Sequence, residues 1–195
     1  MSNDSQPATK ELCYLCFEAL ENRVLGQNSK KVSSKVVKET NVAYPMFVTW
    51  KIGESLRGCI GNFQPQPLYS GLQEYACISG LRDRRFSPIS ADEIPKLNVG
   101  ISLLHTFEEA KDALDWEVGV HGIRLFIDGC SATFLPEVAS EQKWNKEQTL
   151  KQLAMKAGYW GKYDKKAMER SRVERYQSSK CKVTYDEYKA YVSSL

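Results

Sequence analysis

Arg57, Cys59 and two glycines fall within the five residues that end Leu56-Arg57-Gly58-Cys59-Ile60-Gly61. A thiol near a guanidinium can serve as a nucleophile or redox centre, because the cation favours the thiolate. A guanidinium beside backbone that lacks side chains can instead hold a carboxylate or phosphate. The stretch reads as a strand, and side chains alternate across a strand. Leu56, Gly58 and Ile60 are thus expected on one face, with Arg57, Cys59 and Gly61 on the other. Glycine inside a strand marks a bulge, a bend or a close approach. A floor for a small anionic group and an awkward bend in a core both fit.

Other residues extend either reading. Arg85, in Arg82-Asp83-Arg84-Arg85-Phe86, is a second clamp for an anion, or a cation opposing a helix dipole. A cysteine nucleophile wants a base, and His121 is the better placed of two histidines. Glu117 could orient it, as carboxylates orient catalytic histidines. The plainer readings are a small buried cysteine and a hydrogen-bonded structural histidine. Cys13 and Cys16 have C-x-x-C spacing but lie on a helix with no second close pair, so no metal site is expected. No phosphate-binding loop, dinucleotide fingerprint or serine elbow is present, and the sequence leaves any cofactor unknown. Lys162 to Arg175 holds six basic and three acidic residues, a solvated stretch or a contact surface for RNA or an acidic protein.

The elements that must carry these residues follow from periodicity. A helix is expected over 9–25, with Gly26 as its stop. A polar loop follows from Gln27 to Asn41. Met46 to Ile52 reads as a strand, and Gly53-Glu54 turns it into the strand bearing Arg57. Pro67 opens a second helix, and Ser90 with Glu93 forms a capping box. Leu97 to Leu104 is a buried strand and Phe107 to Leu114 a short helix. Gly122 to Ile127, the Asp128-Gly129 turn and Cys130 to Leu135 make a second hairpin. Asn145 with Gln148 caps a helix ending at Gly158. Val173–Tyr176 and Cys181–Tyr185 are two weaker strands, and a helix over Tyr185 to Val192 finishes the chain.

Gly58-Cys59-Ile60-Gly61-Asn62-Phe63-Gln64-Pro65 echoes Gly129-Cys130-Ser131-Ala132-Thr133-Phe134-Leu135-Pro136. Two hairpin–helix–strand repeats, at about 42–104 and 117–185, are therefore expected inside one domain. Arg57 falls opposite Asp128 and Gly61 opposite Ala132, so those two are the unrepeated part of the motif.

The hexapeptide resembles the signature of the AMME-syndrome candidate protein family, the AMMECR-one domain. Arg84-Arg85-Phe86-Ser87-Pro88, Glu117-Val118-Gly119-Val120-His121-Gly122-Ile123 and Ala132-Thr133-Phe134-Leu135-Pro136-Glu137-Val138 match in the same order, so the resemblance covers nearly the whole chain. Ser87 departs from it, where relatives commonly carry a second proline. The resemblance implies an α+β fold of three layers, with mainly antiparallel sheet and two similar repeats. It implies no particular reaction. The resemblance brings with it a suggested nucleotide- or RNA-related basic role, and the joining of the domain in some prokaryotic relatives to dioxygenase-like or radical-type enzyme modules hints at catalysis or its support by analogy alone.

Composition limits the alternatives. With 195 residues the chain can bury a full core without staples, and a net charge of +3 does not demand nucleic acid. Six scattered cysteines suit reduced thiols in the cytosol or nucleus, and no apolar run suggests a membrane. The expectation is a small-molecule or anion site built from Arg57, Gly58, Cys59, Gly61, Arg85, Glu117 and His121, with Cys59 and His121 as catalytic candidates. The alternative is a non-catalytic domain that binds protein or RNA.

Overall fold

The computed structural model describes residues 7–36 and 42–195. Residues 37–41 of the expected loop lie outside them, as do the first six of the chain. Six strands form an antiparallel sheet in the order β2-β1-β3-β6-β4-β5. They are β1 (Ala43–Ile52), β2 (Ser55–Pro67), β3 (Leu97–Glu109), β4 (Gly122–Ile127), β5 (Cys130–Phe134) and β6 (Arg172–Thr184). The helices are α1 (Lys10–Leu25), α2 (Leu68–Leu81), α3 (Pro136–Glu141), α4 (Lys146–Lys156), α5 (Lys165–Arg170) and α6 (Tyr185–Ser193). None of the helices among the described residues is long and apolar enough to cross a membrane.

The chain divides into two compact units, Met1–Leu103 with Ser179–Leu195, and Leu104–Ser178. Strands β3 and β6 each pass from one unit into the other. In the first unit β1 lies between β2 and β3. Alternation turns Met46, Val48 and Trp50 into the core, where each is fully buried. Helix α2 packs on this face, and α1 packs on α2. The Trp50 indole donates to the Ala76 carbonyl at 2.9 Å and meets Phe17 edge-on at 5.1 Å. Thr9 caps α1, and Gly26 ends it at φ 65°, a left-handed conformation glycine adopts at no steric cost. The expected loop after α1 is tied down at its start. Buried Glu18 accepts the amides of Val32 at 2.8 Å and Ser33 at 2.9 Å.

The second unit repeats the order. β4 lies between β5 and β6, and its Ile123, Leu125 and Ile127 pack against Leu150, Leu153 and Ala154 of α4. The reciprocal Asn145–Gln148 capping box starts α4 as the sequence indicates.

Two local expectations are corrected. Phe107 to Leu114 is not a helix. The strand continues to Glu109, because Phe107 stacks on Tyr176 at 5.0 Å and the Ala110 amide donates to the Val173 carbonyl at 2.9 Å. The two weak strands near the end are one, β6. Polar Ser179 is buried within it and accepts the Ala8 amide at 3.1 Å. Helices α3 and α5 lie in stretches that show no clear periodicity.

Candidate functional site

Strand β2 is one residue out of step with β1. Trp50 pairs with Gly58 and Lys51 with Leu56, leaving Arg57 as the extra residue of a β-bulge. Paired residues share a face, and Trp50 and Lys51 point opposite ways. The bulge therefore moves Leu56 to the face opposite Gly58, not the shared face that simple alternation expects. It also turns Arg57 toward the loop after α2. There its Nε donates to Glu93 Oε1 at 2.7 Å and its Nη2 to Oε2 at 3.0 Å. Nη1 donates to the Ser87 carbonyl at 2.8 Å, while Nη2 reaches the Pro88 carbonyl at 3.4 Å and Ser87 Oγ at 3.5 Å. The Arg57 side chain is only 13% exposed. Arg57 holds the Glu93 carboxyl down at about 2, helped by the Ser90 amide.

The same loop grips Cys59. β2 is an edge strand, so the outward amide and carbonyl of Cys59 have no strand to pair with. Buried Asp83 accepts the Cys59 amide at 3.0 Å, and Arg85 Nη2 donates to the Cys59 carbonyl at 3.1 Å. Arg85 and Asp83 pair with each other at 2.7 Å. Hydrogen bonds from Arg85 and from the Cys59 and Arg85 amides hold the Asp83 carboxyl well below the usual carboxylate range. Together Asp83 and Arg85 stand in for a neighbouring strand at one residue.

The glycines clear space. A side chain on Gly58 would strike the Ser79 carbonyl of α2, and one on Gly61 would strike the Met46 carbonyl and the Phe47 ring. Gly58 thus lets β2 lie against α2. Gly61 lets Phe47 lie flat over the strand.

The Cys59 thiol is half-buried and accepts a hydrogen bond from Thr49 Oγ1 at 3.1 Å. Thr49 pairs with Gly100 on its other side, Lys51 with Asn98 and Phe47 with Ser102. These half-buried residues form the face of the sheet away from the core. A cavity of about 650 Å³ lies over it, floored by Thr49, Gly100 and Ser102 and rimmed by Lys51, Lys180 and Lys182. The floor is low at its centre. A methyl on Gly100 would meet only the Cys181 carbonyl at 3.8 Å and Lys182 Cβ at 3.9 Å. Two carboxylates also line it, Glu54 and Glu187. Glu187 pairs with Lys10 at 2.8 Å and closes the capping box of α6, which spends most of its charge.

Of the sequence candidates, Arg57, Gly58, Cys59, Gly61 and Arg85 lie in the first unit, where the loop after α2 bonds to Arg57 and Cys59 and the glycines lie on the same strand. Glu117 and His121 belong to the second unit, in a turn of their own. There the Glu117 main-chain amide, rather than its carboxylate, donates to His121 Nδ1 at 3.0 Å, and the His121 amide donates to the Glu117 carbonyl at 2.9 Å. Among the described residues no group of three or more histidine, cysteine or acidic side chains is placed to hold a metal ion. Reasoning from sequence missed Asp83, Thr49, Gly100 and Lys182. Asp83, an acid among arginines, reads as solvated, and the other three join the site only through strand pairing.

Fold and site together define a mixed α/β domain with an antiparallel sheet, a gripped edge strand and a half-open sheet face. The chain belongs to the AMMECR1 family, whose model matches residues 13–181. It is 40% identical to an uncharacterised protein of Arabidopsis thaliana, over 96% of this chain and 90% of that one. It is 39% identical to an uncharacterised protein of Schizosaccharomyces pombe, over 92% and 94%. The fold is similar to the crystal structure of the uncharacterised protein PH0010 from Pyrococcus horikoshii, with a TM-score of 0.64 at 23% identity over 88% of this chain and 89% of that chain.

Proposed function

We propose that the first unit binds a small anionic molecule on the half-open sheet face beside Cys59. The observation that carries this reading is the cavity of about 650 Å³ whose floor is Thr49, Gly100 and Ser102. Small side chains let a ligand approach the backbone, and two hydroxyls offer hydrogen bonds. Lys51 and Lys182 supply positive charge at the rim. Lys51 is held only loosely by Glu54, at 3.8 Å. This revises the part played by the arginines. Arg57 and Arg85 are already matched to Glu93 and Asp83, so they position the Cys59 strand and do not clamp the ligand. Cys59 borders the floor through Thr49 and is the thiol a bound ligand would approach. Glu117 and His121 are given no step, and no reaction is assigned. Six unpaired cysteines suit a reducing compartment, cytosol or nucleus.

The test is a titration of inorganic pyrophosphate into the isotope-labelled chain, followed by amide chemical shifts. The expected result is saturable movement of the Thr49, Gly100 and Ser102 amides, with affinity lowered about tenfold in Lys182→Glu, roughly 1.4 kcal/mol. Absence of saturable shifts, or shifts confined to the loop from Arg82 to Lys96, would overturn the proposal.

A further inference from the structure

Trp160 is 100% exposed, and nearby Met155 is 68% exposed. The chain reversal after α4 puts the indole there. Gly158 turns left-handed at φ 83°, and the Tyr159 amide closes back onto the Ala154 carbonyl at 3.0 Å. Tyr159 then folds over Gly161, where any side chain would strike its ring and hydroxyl. Trp160, between them, is left pointing to water. Single exposed apolar residues are ordinary, but a fully exposed tryptophan beside a cavity is the residue type that most often dominates protein interfaces.

The cavity is in the second unit and measures about 700 Å³. Leu114, Ala154, Met155 and Met168 make its apolar lining, and Tyr159 and Gly161, on either side of Trp160, border it. Thioether side chains re-pack around varied apolar guests. Its charged lining is uneven. Lys151, Lys162 and Lys165 face it, against Glu147 and Asp164. Asp164 is committed to the N-cap of α5, accepting the Ala167 amide at 3.1 Å. Three lysines against two carboxylates leave the lining with a net positive charge, and the Asp164 carboxylate is already bonded to the α5 backbone.

We propose that this face of the second unit docks a short acidic segment of another protein. An apolar side chain of that segment enters the cavity beside Trp160, and flanking carboxylates meet Lys151, Lys162 and Lys165. Single-stranded RNA fits less well. Stacking on successive bases needs several open aromatic faces. Here Tyr163 is buried and hydrogen-bonded to Ser171 at 2.9 Å, Tyr159 meets it edge-on, and the floor is aliphatic and thioether. The proposal does not depend on the ligand reading of the first unit.

The experiment selects a random displayed peptide library on the full chain, with the Trp160→Ala chain as counter-selection. A fully exposed side chain can be truncated without disturbing the fold, which circular dichroism would verify. The expected result is a consensus with Leu, Ile or Phe flanked by Asp or Glu. A synthetic peptide of that consensus should bind about tenfold or more weakly to Trp160→Ala and to Lys162→Glu, and more weakly in high salt. No enrichment over Trp160→Ala, a basic or uncharged consensus, or binding that ignores both substitutions would overturn it. So would retention of an oligouridine that Trp160→Ala abolishes while acidic peptides fail to bind.

Discussion

In the first hairpin the turn at Gly53-Glu54 leads into a strand of 13 residues, whereas in the second the turn at Asp128-Gly129 leads into one of 5. Counted from the turns, Cys130 stands where Ser55 stands, ahead of Cys59. The two Gly-Cys pairs that look alike in sequence therefore answer different demands. Gly129 sits in the turn at φ 79° with nothing within 4 Å of a would-be side chain. Gly58 has ordinary strand geometry but is pressed against α2. The contrast extends to the strands' free edges. A short edge strand offers little for another chain to pair with. The long β2 is instead bulged at Arg57 and held by Asp83, Arg85 and Glu93. The whole hexapeptide, Cys59 included, belongs to what is particular to the first unit.

The glycines give the largest test of this contrast. Gly58→Ala should cost about 3 kcal/mol or prevent folding, because the new methyl meets backbone that cannot move aside. Gly129→Ala should cost only about 1 kcal/mol, the penalty for a left-handed alanine in open space. Urea midpoints of the two variants measure the difference. Equal losses would mean that both glycines serve one repeated role.

Much of the scaffold was legible in sequence because its signals are local. The Gly26 stop, the Asn145–Gln148 box and the Asp128-Gly129 turn each act within a few residues. Phe107 to Leu114 misled because strand pairing with β6 outweighs its local helical pattern. The candidate site was legible in its letters but not in its wiring. Arg57 reads as an open cation, yet its partner Glu93 is 36 residues away and reads in sequence only as a local cap. A bulge exists only relative to a partner strand, so no single-strand pattern reveals it.

The Glu93 contact has a smaller, pH-dependent signature. Its carboxyl falls from 4.5 to about 2 in the folded chain, with Arg57 the leading cause. A depressed folded value stabilises the fold above the unfolded value, and that gain is lost as pH falls from about 4.5 toward 2. Glu93→Gln should remove about 2 kcal/mol at neutral pH, because it breaks a charge-assisted pair in a largely buried setting. It should also flatten the acid limb of stability against pH. An unchanged acid limb would mean that Arg57 does not depend on Glu93. The second hairpin offers a matched control, since the exposed Asp128–Arg170 pair should matter little.

At Cys59 a carboxylate and a guanidinium replace a missing strand. Hydrogen exchange of the Cys59 amide tests it most directly. That amide faces the free edge of the sheet and is bonded to Asp83 at 3.0 Å. It should exchange as slowly as the core amides of β1, and Asp83→Ala, which removes the acceptor, should release it while the Val48 amide stays protected. A Cys59 amide that exchanges freely in the unaltered chain would show that Asp83 and Arg85 do not take the place of a strand there.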